Sequence, residues 1–369
     1  MTTTPEQLEQ LETPCYLFRP DIVLEDLEAL RAALGTGVVV SFKANPFIDL
    51  FVRCCHAFTD GVELASLGEL NAVVGRSAVP KFVNTPALDK QLLMAALACR
   101  ATVVLDSADQ VELAAGLGHA GLKQRGVWLR LNAASLCGSE RSSDRDHFGM
   151  DVDTACAAVR TLADKGIVVT GLHVHAGSNS FARLGVAIAR ALSAALPRLE
   201  AAGGRPIECL NLGGGIPANW QSLNLDFETY RAALRPLSGH ATIVHEAGRA
   251  IFARAGSFIT RVVATKDIDG HRIAVCDGGI SQAFLLARTE QFPRRKLAPR
   301  RVAMAPESGE DARPLQIVGN SCNRADVIGD AEGAVAVRDY FVFDYCGAYH
   351  TYSPVKFLSL EQANLYIAP

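Results

Sequence analysis

The sequence has no excess of basic residues: 36 Lys and Arg stand against 39 Asp and Glu, a net charge of −3 with the nine His neutral. That balance points away from nucleic acid, and the lack of a polybasic run points away from anionic lipid. No apolar run approaches the roughly 20 residues that crossing a bilayer takes. The opening MTTTPEQLEQLETPCYLF has neither a charged stretch nor an apolar one. No secretory leader is therefore expected, and the cytoplasm is the expected compartment. None of the ten cysteines falls in a CxxC pair and their spacing is irregular. They read as reduced thiols, mostly small core residues, and no metal site is assigned to them. What is plentiful is apolar mass, 49% of 369 residues, which excludes a disordered chain or a disulfide-stapled mini-protein. At this length one large domain with a smaller one beside it is expected.

The first two-thirds of the chain alternate between two periodicities. IVLEDLEALRAAL places Leu24, Leu27, Leu30 and Leu34 on one helical face, and VVVSF (38–42) then reads as a buried strand. The beat continues through GVELA (61–65), KFVN (81–84), TVVLD (102–106), VWLRL (127–131), VVTGLHV (168–174), IECLNL (207–212) and ATIVH (241–245). Helical stretches such as 151–164 and 182–202 lie between. Continuous rather than alternating hydrophobicity is how parallel strands covered on both faces read. Eight strand–helix units suggest a (β/α)8 barrel over 22–252, with a doubly wound open sheet as the competing reading. After about Arg254 the texture becomes short β-prone runs, FITRVVAT, RIAVCD, LQIVGNS, YFVFDY and NLYIAP. These predict a β-rich C-terminal domain over 253–369, joined by residues 1–21 through the strand-like YLF (16–18).

Barrel enzymes build their sites at the C-terminal ends of the strands. Those positions here are Lys43, Asn84, Asp106, Arg130, Asn132, His173, His175, Asn211, Gly213–Gly215, His245, Glu246 and Arg249. The set is more polar and titratable than folding alone requires. An apolar strand would half-bury Lys43, and desolvation lowers a lysine pKa in the direction that suits imine chemistry. The alternative is a solvated strand-end lysine. Gly213–Gly215 could turn backbone N–H groups onto an anion, with Arg249 adding a charge-assisted contact, or could be only a tight turn. Glu246, ending an apolar strand, needs a cationic partner, either Arg249 or a protonated ring nitrogen on a ligand. His175 offers a flat imidazole to stack on such a ring. A lysine, an anion loop, an acid for a ring nitrogen and a stacking group together describe a pyridoxal phosphate site.

The segments SFKANP (41–46), GVELASLGEL (61–70), HVHAGS (173–178), LNLGGGIP (210–217), HEAGR (245–249), GNSCNRAD (319–326) and CGAY (346–349) carry a family resemblance. The chain resembles the alanine-racemase-fold (fold type III) pyridoxal phosphate decarboxylases, the group of ornithine, arginine and diaminopimelate decarboxylases. The resemblance implies a (β/α)8 barrel followed by a β domain, in homodimers with active sites at the interface. It implies that Lys43 bonds the cofactor, His175 stacks on its ring and Glu246 holds its ring nitrogen. Ser178, Gly213, Gly214, Gly215, Arg249 and Tyr349 would hold the phosphate. Cys322 would reach in from the other protomer to protonate the substrate carbon after CO2 leaves.

The departures concern the substrate. Diamine and diaminopimelate enzymes usually carry an acid after the cysteine for the distal ammonium, whereas this chain has Asn323 and then Arg324. That argues against free ornithine or lysine, and Arg324 suits a distal carboxylate. The stretch 277–299 also lacks the usual pattern, which is similar to branches acting on modified amino acids in siderophore or natural-product assembly. His147-Phe148-Gly149 replaces the family's Lys-Phe-Gly, so an interface pairing with Asp326 would become titratable. A racemase on the same barrel would present an arginine to the ring nitrogen, and Glu246 argues against it. A cofactor-free barrel lyase would have no need of Glu246. A catalytically dead binding homologue would not have to keep Lys43 and Cys322.

Overall fold

A computed structural model describes residues 4–138, 146–287, 298–304, 313–352 and 357–368. Contacts divide the chain into two compact units, residues 24–251 and residues 1–23 with 252–369.

The first unit is a closed barrel. With β1 (Cys15–Phe18) belonging to the other unit, its strands are β2 (Gly37–Ser41), β3 (Val62–Leu64), β4 (Lys81–Asn84), β5 (Thr102–Leu105), β6 (Val127–Leu131), β7 (Val169–Val174), β8 (Cys209–Asn211) and β9 (Thr242–Ala247). Each pairs in parallel with the next, and β9 closes onto β2 with Val39 opposite Glu246. That closure removes the open-sheet alternative. The loops leaving the strands end on residues that cap the following helix: Ser66, Asp89, Ser107, Asp151 and Asp226 each accept a backbone N–H two or three residues into it. Such a cap stabilises a helix start by about 1 kcal/mol.

The barrel interior has two layers. Successive side chains of a strand face opposite sides, so a step of two returns to the same face. Val39, Val104, Trp128 and Val244 form a buried apolar cluster with Phe82 and Cys209 packed on it. The indole of Trp128 lies where Gly171 has no side chain: a Cβ there would sit 2.4 Å from its Nε1. Two residues further along their strands stand Ser41, Asn84, Asp106, Arg130, His173, Asn211 and Glu246, all buried. With Glu63 of β3, they form a polar layer on an apolar floor.

The second unit is a β-rich sheet domain. It comprises β1, β10 (Gly256–Ile268), β11 (His271–Cys276), β12 (Arg300–Val302), β13 (Pro314–Val318), β14 (Val327–Glu332), β15 (Tyr340–Phe343) and β16 (Asn364–Ile367). The first half of β10 is buried and pairs with β1 and β15, and its exposed second half pairs with β11 past a bulge at Val262/Ala264. Residues 16–18 join this sheet, as the sequence suggested. Two strands went unread, β12 and β14. VIGDAE buries only Ile328, its other positions being half-buried or exposed with Asp and Gly among them, which leaves little apolar signal. Among the described residues no helix is long and apolar enough to cross a membrane.

Candidate active site

Lys43 lies past the strand end, on a single 3-10 turn, Phe42–Ala44, that follows β2. The turn leaves its side chain 39% exposed and brings Nζ onto Oε2 of Glu63, whose side chain is 2% exposed. Burial, the largest influence, raises the affinity of Glu63 for a proton. Lys43 opposes it, and the charge of Glu246 reinforces it.

Glu246 points into the barrel from β9. Its Oε1 lies 3.1 Å from Nε2 of His173 and accepts a 3.0 Å hydrogen bond from Nδ2 of Asn211. Burial works to raise its pKa, but His173, Lys43 and His175 outweigh burial and hold it well below the usual carboxylate range. Glu246 is therefore ionised at neutral pH. Its neighbour His245 departs from expectation. It was read as one of the groups delivered to the site, yet it faces away from the barrel interior, between the Tyr230 hydroxyl (2.6 Å) and the Thr36 hydroxyl (2.7 Å). The alternation of the strand dictates this once Glu246 points inward.

His175 follows β7. The Gly214 N–H donates to its Nδ1 at 3.1 Å, which puts the ring proton on Nε2. Burial lowers the His175 pKa to about 4, so the ring is neutral and flat-faced. Asn211 Oδ1 accepts the Gly213 N–H, and the Gly213 carbonyl accepts the Glu246 N–H at 2.9 Å. A Cβ on Gly214 would come within 2.5 Å of the Glu246 carbonyl, so only glycine permits this approach. The Gly215 carbonyl accepts the N–H of Phe181, the first residue of the helix Phe181–Gly203. The glycine loop thus lies against the start of a long helix, where the backbone dipole favours an anion. Ser178 is exposed in the loop between β7 and that helix, and Arg249 begins the short helix Arg249–Phe252 after β9.

On the far side of the mouth, Arg130 Nη1 lies 3.3 Å from Asp106, and its guanidinium stacks 4.3 Å from the centre of the Phe148 ring. Arg130 Nε, His173 Nδ1 and Asn84 Oδ1 are buried without a hydrogen-bond partner. Such atoms are costly unless a ligand or water meets them.

The remaining expected residues belong to the β-rich unit. Tyr349 is half-buried with φ +66°. Cys322 is exposed, between Ser321 and Asn323. Asp326 builds the loop around it: Oδ1 accepts the Ile280 N–H at 2.6 Å, and Oδ2 accepts the Ser321 N–H at 3.0 Å and hydroxyl at 2.6 Å. The Asp326 expected to face His147 is itself buried, with both oxygens engaged inside its own unit. Asn323 Oδ1 accepts the Ala325 N–H, and Arg324 is exposed. Of the divergent stretch 277–299, residues 288–297 lie outside the described residues.

Glu63 was not singled out from the sequence, and Asn84, Asp106, Arg130, His173 and Asn211 were marked only by their places at strand ends. The signal for Glu63 was a carboxylate inside an apolar run, at a position whose register with β2 puts it opposite Ser41.

The model of the family "Pyridoxal-dependent decarboxylase, pyridoxal binding domain" matches residues 22–260. The chain is 28% identical over 285 residues to a diaminopimelate decarboxylase of Deinococcus radiodurans, covering 74% of this chain and 70% of that one. It is 25% identical over 376 residues to the L-glutamyl-[BtrI acyl-carrier protein] decarboxylase of Niallia circulans, covering 95% and 87%. It is 25% identical over 371 residues to the 2-[(L-alanin-3-ylcarbamoyl)methyl]-2-hydroxybutanedioate decarboxylase of Staphylococcus aureus, covering 93% and 91%.

Proposed function

The chain belongs to the pyridoxal-dependent decarboxylase family, and from that membership we propose that it decarboxylates a modified or conjugated amino acid in siderophore or natural-product assembly rather than free ornithine or lysine. It is a pyridoxal-phosphate-dependent carboxy-lyase acting on an amino acid. The bound cofactor supplies a sink for the electron pair left when the carboxylate departs as CO2.

The residues of the barrel mouth fit that cofactor. Three buried polar atoms there lack partners, and the glycine loop and the helix start at Phe181 form a cradle for an anion. In this reading Lys43 provides the amine and His175 presents its neutral ring for stacking. Ionised Glu246, oriented by Asn211 and His173, accepts the ring N–H. Ser178, Gly213–Gly215, Arg249 and Tyr349 hold the phosphate. Cys322, contributed by the partner in a homodimer, returns a proton from Sγ to the carbon that lost CO2. His173 and Asn211 join this set as the groups that fix the carboxylate of Glu246. We take the protein to work in the cytoplasm.

The observation that carries the substrate reading is the Asn323–Arg324 pair after Cys322. It replaces an acid with an amide and a cation, in a loop that Asp326 ties together through Ser321. A guanidinium there favours a substrate whose far end is a carboxylate. The relatives from N. circulans and S. aureus, which by their names act on a carrier-bound glutamyl group and on a conjugated alanyl compound, support that class. The D. radiodurans relative favours the second reading, decarboxylation of free diaminopimelate. CO2 release by the pyridoxal-phosphate-loaded protein decides between them. The panel is ornithine, lysine, arginine and diaminopimelate beside citryl- and acyl-linked diamino acids. Release confined to the conjugates is expected, and release from a free diamino acid overturns the substrate proposal.

A further inference from the structure

We propose that Glu63 is the acid–base residue of Lys43, taking a proton from its ammonium so that the nitrogen can attack an aldehyde carbon and returning that proton to the departing oxygen. The geometry rests on the register of two strands. β2 and β3 run parallel with Ser41 opposite Glu63, and the 3-10 turn that follows Ser41 swings Lys43 back over its neighbour strand. Nζ thereby meets Oε2 of Glu63 directly.

The two partners are unequally placed. The lysine side chain is 39% exposed and the carboxylate 2%, so the carboxylate bears most of the desolvation cost of the ion pair. Its affinity for a proton is raised by burial, lowered by Lys43 and raised again by Glu246, with His173 the smallest influence. Burial thus favours the neutral carboxyl form of Glu63 while contact with Lys43 favours the charged one, the opposition a reversible proton acceptor needs. Other groups of the mouth are already committed. Glu246 holds His173 and Asn211, and Nδ1 of His175 accepts from Gly214.

The step balances. The lysine ammonium starts with three protons and gives one to Glu63. The freed electron pair on nitrogen forms the C–N bond while the carbonyl π pair moves onto oxygen. That oxygen takes a second proton from nitrogen, then the first one back from Glu63, and leaves as water. Nitrogen keeps one proton and a double bond to carbon, and Glu63 ends as it began. When a substrate amine displaces Lys43, the incoming nitrogen rather than water forms the new C–N bond as the bond to Lys43 breaks, and the proton that nitrogen gives up to Glu63 is returned to the departing lysine amine.

The inference rests on the barrel mouth being the pyridoxal phosphate site, and the test separates the two. The apoprotein is mixed with pyridoxal 5′-phosphate in a stopped-flow instrument, and the visible absorbance of the lysine-bound cofactor is followed in time. Borohydride trapping and peptide mass then give the final extent of labelling at Lys43. Glu63→Gln is expected to slow capture about 10²-fold with the same final extent, and Glu63→Asp to recover at least about tenfold of that loss. Capture by Glu63→Gln within about threefold of wild type overturns the role of Glu63. A slowing that Glu63→Asp does not relieve overturns it equally. If the wild-type protein takes up no cofactor at Lys43, the site reading falls and the inference with it.

Discussion

His245 and Glu246 are consecutive on β9 and face opposite sides of it, one held between two hydroxyls outside the barrel and the other between His173 and Asn211 inside. Two titratable groups one peptide bond apart thus have opposite duties. Glu246 is kept charged by its surroundings, whereas burial keeps His245 neutral, with its pKa lowered to about 3.

A dependence of stability on pH follows. In the unfolded chain a histidine binds a proton below about 6.5, and in the folded one His245 stays neutral to about 3. Between those values the unfolded state holds more protons. Stability is therefore fully present above 6.5 and is lost as pH falls toward 3, by an amount on the order of a few kcal/mol. His245→Gln keeps a hydrogen-bonding side chain without the titration. Its melting temperature should start below that of wild type at neutral pH and fall less on acidification. Parallel curves for the two proteins would show that His245 does not set the acid limit.

Lys43→Ala should abolish both the visible absorbance of lysine-bound cofactor and turnover, since the barrel mouth then has no amine at that position. Absorbance spectra and CO2 release read this directly, and normal activity in the variant would sink the assignment of the site.

The loop around Cys322 offers a separate test. Asp326→Asn replaces an acceptor of three hydrogen bonds by an amide whose NH2 must face a donor. The fold should lose about 1–3 kcal/mol, read by denaturant melts, and turnover should drop while cofactor absorbance persists. Cys322→Ala should also bind cofactor, but turn over slowly or place the proton on the wrong atom, which product analysis would detect. An unchanged rate and product would mean that another group donates the proton.

Arg324→Glu reverses the charge beside Cys322 and should raise KM for a carboxylate-bearing substrate about tenfold or more, the loss of one charge-assisted contact. An unaltered substrate profile across the panel would remove Arg324 from recognition.

The barrel was legible because its strands are buried on both faces and so read as unbroken apolar runs, with Lys43 and Glu246 standing out as charges at their ends. Glu63 was hidden by the same logic. It sits inside an apolar run, and its partner is 20 residues away, a proximity set by strand register rather than by local pattern. The part played by Asp326 depends on donors from two loops, one of them 46 residues distant, and no periodicity encodes that. The outward turn of His245 was readable in principle, since strand parity assigns it once Glu246 is placed inside.

The indole of Trp128, seated over Gly171, does more than fill space. With the valines beside it, it stoppers the barrel beneath the polar layer, so the groups of the mouth exchange protons with solvent from above. A molecule bound over them closes that route. The protons then shared between Lys43 and Glu63 become a fixed stock, passed among the reacting atoms until the occupant leaves.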